Sequence, residues 1–175
     1  TYIDISFIDY KLHSGAQGLL VLKAAEAIAS GKSMKEVERI VKEYRKNSKI
    51  YVNVDTLEYM IRGGRVSAMK GFLANLFNLK PIVSLDEEGN GIIFGKSFTR
   101  SGVNNKIKDK VQELKQKYKI EKYAVVHAQS PQMAEKFKEE IKNILGLEAE
   151  YIMEISSVTA LNAGKGAVAL SLLAK

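Results

Sequence analysis

The 175-residue chain has no cysteine and no tryptophan, and only two histidines and two prolines. Without cysteine it can form no disulfide and no thiolate-bound metal site, and a reducing cytosol is its simplest home. Two histidines leave little material for a histidine-rich metal centre. No apolar run approaches the ~20 residues needed to span a bilayer, and no signal-peptide pattern is present. The expected location is therefore cytoplasmic. The first residue is Thr1 rather than methionine, so a further upstream portion is expected. The catalytic and phosphate-binding signatures G-x-S-x-G and G-x-x-x-x-G-K-[ST] are missing. So is the ligand spacing of a calcium loop, although Asp86-Glu87-Glu88 is acidic.

What is present is an ordinary globular balance of 46% hydrophobic and 27% charged residues. The net charge is +7. The lysines fall mainly in two stretches, Lys32 to Lys49 and Lys106 to Lys122, interleaved with acidic residues. That is the pattern of solvated helix faces, and it argues against a nucleic-acid partner.

Local patterns predict the elements. Leu19 to Ala29 is helix-forming, after a turn-like Ser14-Gly15-Ala16-Gln17-Gly18. Ser33 with Glu36 makes a capping box, followed by Val37, Ile40, Val41 and Tyr44 at helical spacing. Lys49 to Asp55 alternates as a strand. Thr56 caps a short helix over Leu57 to Ile61, and an apolar helix follows over Met69 to Leu76. Lys80 to Leu85 and Ile92 to Phe98 flank an acidic, glycine-rich turn, which predicts a hairpin. Val103, Ile107, Val111, Leu114 and Tyr118 lie on one helix face. Tyr123 to His127 is a strand, Ser130-Pro131 opens a helix with Met133, Phe137, Ile141 and Ile144 as its stripe, Ala149 to Ile155 is a strand, and Gly164 to Leu173 is a last strand. The order predicts an α+β fold with a mostly antiparallel sheet of about six strands flanked by helices.

Three segments are candidate sites. In Arg62-Gly63-Gly64-Arg65, adjacent glycines free the backbone and the guanidiniums suit a carboxylate or phosphate. A helix C-cap with solvated arginines would give the same sequence. In Asn162-Ala163-Gly164-Lys165-Gly166, Gly164 and Gly166 can leave backbone N–H groups facing a ligand, and Asn162 can hydrogen-bond a carboxylate. Phe72, Leu73 and Leu76, with Met69, Phe77 and Leu79, either pack in the core or line an apolar cavity beside the arginine-glycine element. His127 ends an apolar strand, where a structural hydrogen-bonding role is the simpler reading.

The series Asp55-Thr56-Leu57-Glu58-Tyr59, Gly63-Gly64-Arg65-Val66-Ser67 and Asn78-Leu79-Lys80-Pro81-Ile82-Val83 resembles the DegV family. Ile8-Asp9, Ser14 to Val21 and Arg100 extend the likeness over nearly the whole chain. The resemblance implies a two-lobe α/β protein without activity of its own and without a cofactor. Residues 1–48 would be a remnant of the N-terminal lobe and residues 49–175 the C-terminal lobe. It also implies a long-chain fatty acid in a tunnel, its carboxylate presented to a fatty acid kinase catalytic subunit or to a fused kinase-type domain. Arg65, Gly63, Gly64, Phe72, Leu73, Leu76, Asn162, Gly164 and Gly166 would then form the lipid site. Where the family carries a Thr-His-Thr-Gly-Pro-Gly type stretch, this chain reads Leu161-Asn162-Ala163-Gly164-Lys165-Gly166. Asn162 hydrogen-bonds but carries no charge, so Arg65 is left as the main cation. A ligand-free structural or regulatory interaction domain of a larger DegV-like protein is the alternative.

Overall fold

A computed structural model describes residues 5–65 and 79–175. The expected apolar helix over Met69 to Leu76 lies outside the described residues, and so do Phe72, Leu73 and Leu76. The elements run α1 (Ser14–Ala29), α2 (Met34–Asn47), β1 (Lys49–Asn53), α3 (Glu58–Arg62), β2 (Lys80–Leu85), β3 (Gly91–Ser97), α4 (Arg100–Lys117), β4 (Ile120–His127), α5 (Pro131–Leu145), β5 (Tyr151–Glu154), α6 (Ser157–Ala163) and β6 (Val168–Ala174).

The six strands form one sheet in the order β3-β2-β1-β6-β4-β5. β5 runs parallel to β4, while the pairings among β3, β2, β1, β6 and β4 are antiparallel. The sheet is thus mixed, not mostly antiparallel as expected. The cause is the β4-α5-β5 unit, in which a helix returns the chain to the start of the neighbouring strand. β6, the last strand, is inserted at the centre between β1 and β4 and is buried along its whole length.

Alternation along the strands divides the core by face. Tyr51, Ile82, Tyr123, Val125, Val168, Leu170 and Leu172 point to one side. There they pack on Val103, Ile107, Val111 and Leu114 of α4 and on Ala134, Phe137, Ile141 and Leu145 of α5. Ile50, Val52, Val83, Val126 and Ala169 point to the other side. Leu173 and Ala124, also on that side, pack on Leu19, Leu20, Val37, Val41 and Tyr44 of α1 and α2. The helices of residues 14–47 therefore share a core with β4 and β6, although residue 48 was the expected boundary between lobes.

Two elements depart from the sequence expectation. The turn-like Ser14 to Gly18 is the first turn of α1. Its glycines are there for packing: a Cβ on Gly15 would lie 2.7 Å from Ser171 Oγ, and one on Gly18 would collide with the Tyr151 hydroxyl. The missed element is α6. It has one Ser156 side chain accepting from Thr159 N–H and no buried stripe to announce it, so β-branched Val158 and Thr159 gave no helical period.

Candidate functional site

On the α1 side of the sheet the described residues leave the core incomplete. A cavity of about 450 Å³ opens there, within the ~300–1,000 Å³ usual for ligand sites. Its floor is apolar, made by Ile50 and Val52 of β1, Val83 and Leu85 of β2, Val126 of β4, and Ala167 and Ala169 at β6. Its walls are Met60, Gly64 and Arg65 at the end of α3, Val158, Thr159, Asn162 and Ala163 of α6, the Gly89-Asn90-Gly91 hairpin tip, and His13-Ser14 at the start of α1. Both of the protein's histidines line it, with Arg65. Among the described residues, no aspartate or glutamate does. The surface is greasy along the sheet, and Arg65 is its one fixed cation among the described residues.

Local chemistry explains how Arg65 arrives there. Thr56 Oγ1 accepts from Glu58 N–H at 3.2 Å and starts α3. At its end, Gly64 N–H donates to Ile61 O (3.1 Å) and Arg65 N–H donates to Met60 O (2.9 Å). With Gly64 at φ +68°, this is a Schellman ending, and Arg65 is the residue just beyond the cap. The C-cap reading of the segment is thus the local structure, and it delivers an exposed Arg65 to the cavity. Gly63 has an ordinary φ of −77°. It is glycine because a Cβ would run into the Asn162 side chain. Asn162 Nδ2 donates to Val158 O at 3.3 Å, so its amide is engaged within α6 and against Gly63.

Gly164 and Gly166 do not line the cavity. Gly164 N–H donates to Ala160 O and Gly166 N–H to Ala128 O, each at 2.8 Å. Their positive φ angles, +80° and +85°, turn the chain from α6 into β6. Gly164 passes so close under the Tyr59 ring that a side chain would clash.

Beside Gly166 lies a polar knot. Arg100 Nε donates to Asp55 Oδ1 at 2.6 Å and its Nη1 donates to Gly166 O at 2.9 Å. Its Nη2 also pairs with Asp55 Oδ2. Lys80 Nζ donates to Asp55 Oδ1 at 2.8 Å. One carboxylate thereby ties together the end of β1, the start of β2, the start of α4 and the approach to β6, at the edge of the cavity wall. Arg100 is spent on the fold and is not free for a ligand.

His127 closes β4 at the cavity. Its Nδ1 accepts from Ser130 N–H at 3.3 Å, the hydrogen-bonding role expected of it. His13, which the sequence patterns did not single out, is the residue before α1. It is exposed at the cavity rim and its imidazole makes no capping hydrogen bond. The protein packed around it pushes its pKa below the ordinary histidine value, through desolvation. Lys11 and Ser14 on either side have positive φ, +51° and +54°, unusual for residues with a side chain. Among the described residues no cluster of three or more candidate metal ligands occurs, and no helix is long and apolar enough to cross a membrane.

A family model described as "Uncharacterised protein, DegV family" matches residues 1–175. DegV domain-containing proteins of Listeria innocua and Clostridium acetobutylicum are 34% and 32% identical over 171 and 170 residues, 95% and 96% of this chain. The crystal structure of DegV from Bacillus subtilis, described as a fatty acid binding protein, has 29% identity and a TM-score of 0.84 over 96% of this chain. The chain spans 59% and 60% of the two curated relatives and 60% of the Bacillus protein.

Proposed function

Since this chain belongs to the DegV family, we propose that it holds a long-chain fatty acid in the cavity over β1, β2 and β6, as a carrier and not as a catalyst. The observation that carries the reading is the cavity's composition: an apolar sheet floor, a guanidinium at its wall and no carboxylate among the described lining residues. An acyl chain gains by covering the floor, and its carboxylate gains a charge-assisted partner in Arg65. The description of the Bacillus subtilis relative as a fatty acid binding protein supports it. In the longer protein the carboxylate would be presented in the cytoplasm to an ATP-dependent fatty acid kinase, either a separate subunit or a fused domain.

Native mass spectrometry of the purified protein tests this. One bound acyl chain per polypeptide is expected, and no acyl chain from a version extended to the length of its relatives would overturn it. Arg65→Ala should lower fatty acid affinity about tenfold, the range of a lost charge-assisted hydrogen bond, with stability within about 0.5 kcal/mol because the residue is exposed.

The internal engagement of Asn162 favours a second reading, a ligand-free interaction domain with the same fold. That reading holds if Arg65→Ala leaves both lipid loading and partner binding unchanged.

A further inference from the structure

Among the described residues the cavity lining holds one fixed cation, Arg65, and two histidines, His13 and His127, and the two histidines differ in what they are free to do. His127 Nδ1 accepts a hydrogen bond from Ser130 N–H, a bond that only an unprotonated nitrogen can make. Among the described residues His13 shows no such tie. It precedes α1, whose first turn holds no acidic residue, and it faces the cavity from a backbone bent by positive φ at Lys11 and Ser14.

We propose that His13 is the cavity's titrating cation: when an anionic amphiphile enters, the His13 imidazole takes up a proton and supplies a second positive charge beside that of Arg65. This rests on the carrier reading above and adds to it a coupling between ligand and proton.

The charged groups around His13 permit that response. On its own segment Asp9 and Lys11 are paired with each other at 2.9 Å. Arg45 of α2 donates from Nε to Tyr10 O at 3.0 Å and also to Glu87 O. Glu88 of the hairpin tip acts on Lys11. Across the cavity stand Arg65 and His127. Among the described residues no carboxylate in the cavity wall competes with an incoming anion, and the charges outside it are largely answered by one another. In the empty protein desolvation lowers the His13 pKa, and a helix N-terminus acts in the same sense. An anion in the same low-dielectric space reverses the balance. The sign follows from linkage: a ligand that raises the His13 pKa binds more tightly at low pH, by the ratio of the two acid constants.

The probe is hexadecanesulfonate, which stays anionic throughout, so any pH dependence belongs to the protein. Proton NMR follows the two histidine ring signals between about pH 5 and pH 8.5, with and without the probe, and His127→Gln assigns them. On loading, the His13 midpoint should rise by about one pH unit, and affinity should be about tenfold higher on the acid side of the titration than on the basic side. His13→Gln should flatten that profile. Where this variant folds poorly, the wild-type titration still decides. A His13 midpoint indifferent to bound sulfonate, or an unchanged pH profile in His13→Gln, overturns the proposal while leaving the carrier reading intact. Failure of the wild type to bind both palmitate and the sulfonate overturns the two together.

Discussion

The two faces of the sheet come from the same strands and yet are built differently. Toward α4 and α5, the strands offer Tyr51, Ile82, Tyr123, Val125, Leu170 and Leu172, and these merge with two helix stripes into one continuous core. Toward α1, the neighbouring positions of β4 and β6 are Ala124, Val126, Ala128, Ala167, Ala169 and Ser171. Small side chains leave volume, and helices fill it only where α1 and α2 lie. Over β1, β2 and the start of β6 the volume stays open as the cavity. One face is thus filled for stability, while on the other the described residues leave a hollow, and close packing of a protein interior ordinarily removes such voids.

The comparison can be broken from either side. On the filled face, Phe137→Ala removes a fully buried ring and should destabilise by about 3–5 kcal/mol in denaturant unfolding. A loss under about 1 kcal/mol would show that face to be less tightly packed than described. The α1 side has a filled part too, and Gly15→Ala probes it. Alanine in a helix ordinarily stabilises over glycine. Here its Cβ meets Ser171 Oγ and, at 3.2 Å, Val126 Cγ1, so a destabilisation of about 1–2 kcal/mol is expected. A gain in melting temperature would contradict the close approach of α1 to β6. The smallest stability effect belongs to Ala169→Leu, aimed into the cavity. It should move stability by less than about 1 kcal/mol while sharply reducing fatty acid loading by native mass spectrometry. Loading at wild-type level with the same substitution would place the ligand elsewhere.

Much of this architecture was legible in the chain. The capping pair survives as Ser33 N–H donating to Glu36 Oε2 at 2.8 Å. The Asp86 to Gly91 turn is a hairpin whose Asp86 Oδ1 accepts from Glu88 and Asn90 N–H. Of the stripe read over Val103, Ile107, Val111, Leu114 and Tyr118, the first four are buried, while Tyr118 is the exposed C-cap residue beyond α4. These are short-range signals, fixed within a turn or two of chain. Arg65 and Gly64 were legible as a candidate site because the residue types carry their chemistry with them, and the structure brings both to the cavity lining. Other parts were not legible, for one physical reason: they depend on residues far apart in the chain. Gly63 is explained by Asn162, Gly15 by Ser171 and Gly166 by Arg100. The glycines at 164 and 166 read locally as a ligand loop, and their N–H groups instead close the turn into β6. His13 looked like an isolated polar residue until α1 was laid across the sheet.

By itself the amino-acid order determined most of the stretches that become helix or strand, though not α6 or the first turn of α1, and that one stretch would carry a guanidinium beside two glycines. Periodicity, caps and turn chemistry act over a few residues, so they can be read without the fold. Only the tertiary structure decided that the last strand enters the middle of the sheet, that its small residues face α1, and that Arg65, His13 and His127 border one void. Those outcomes depend on how whole faces pack against each other, and the energy of packing is a property of pairs of residues that the linear order keeps apart.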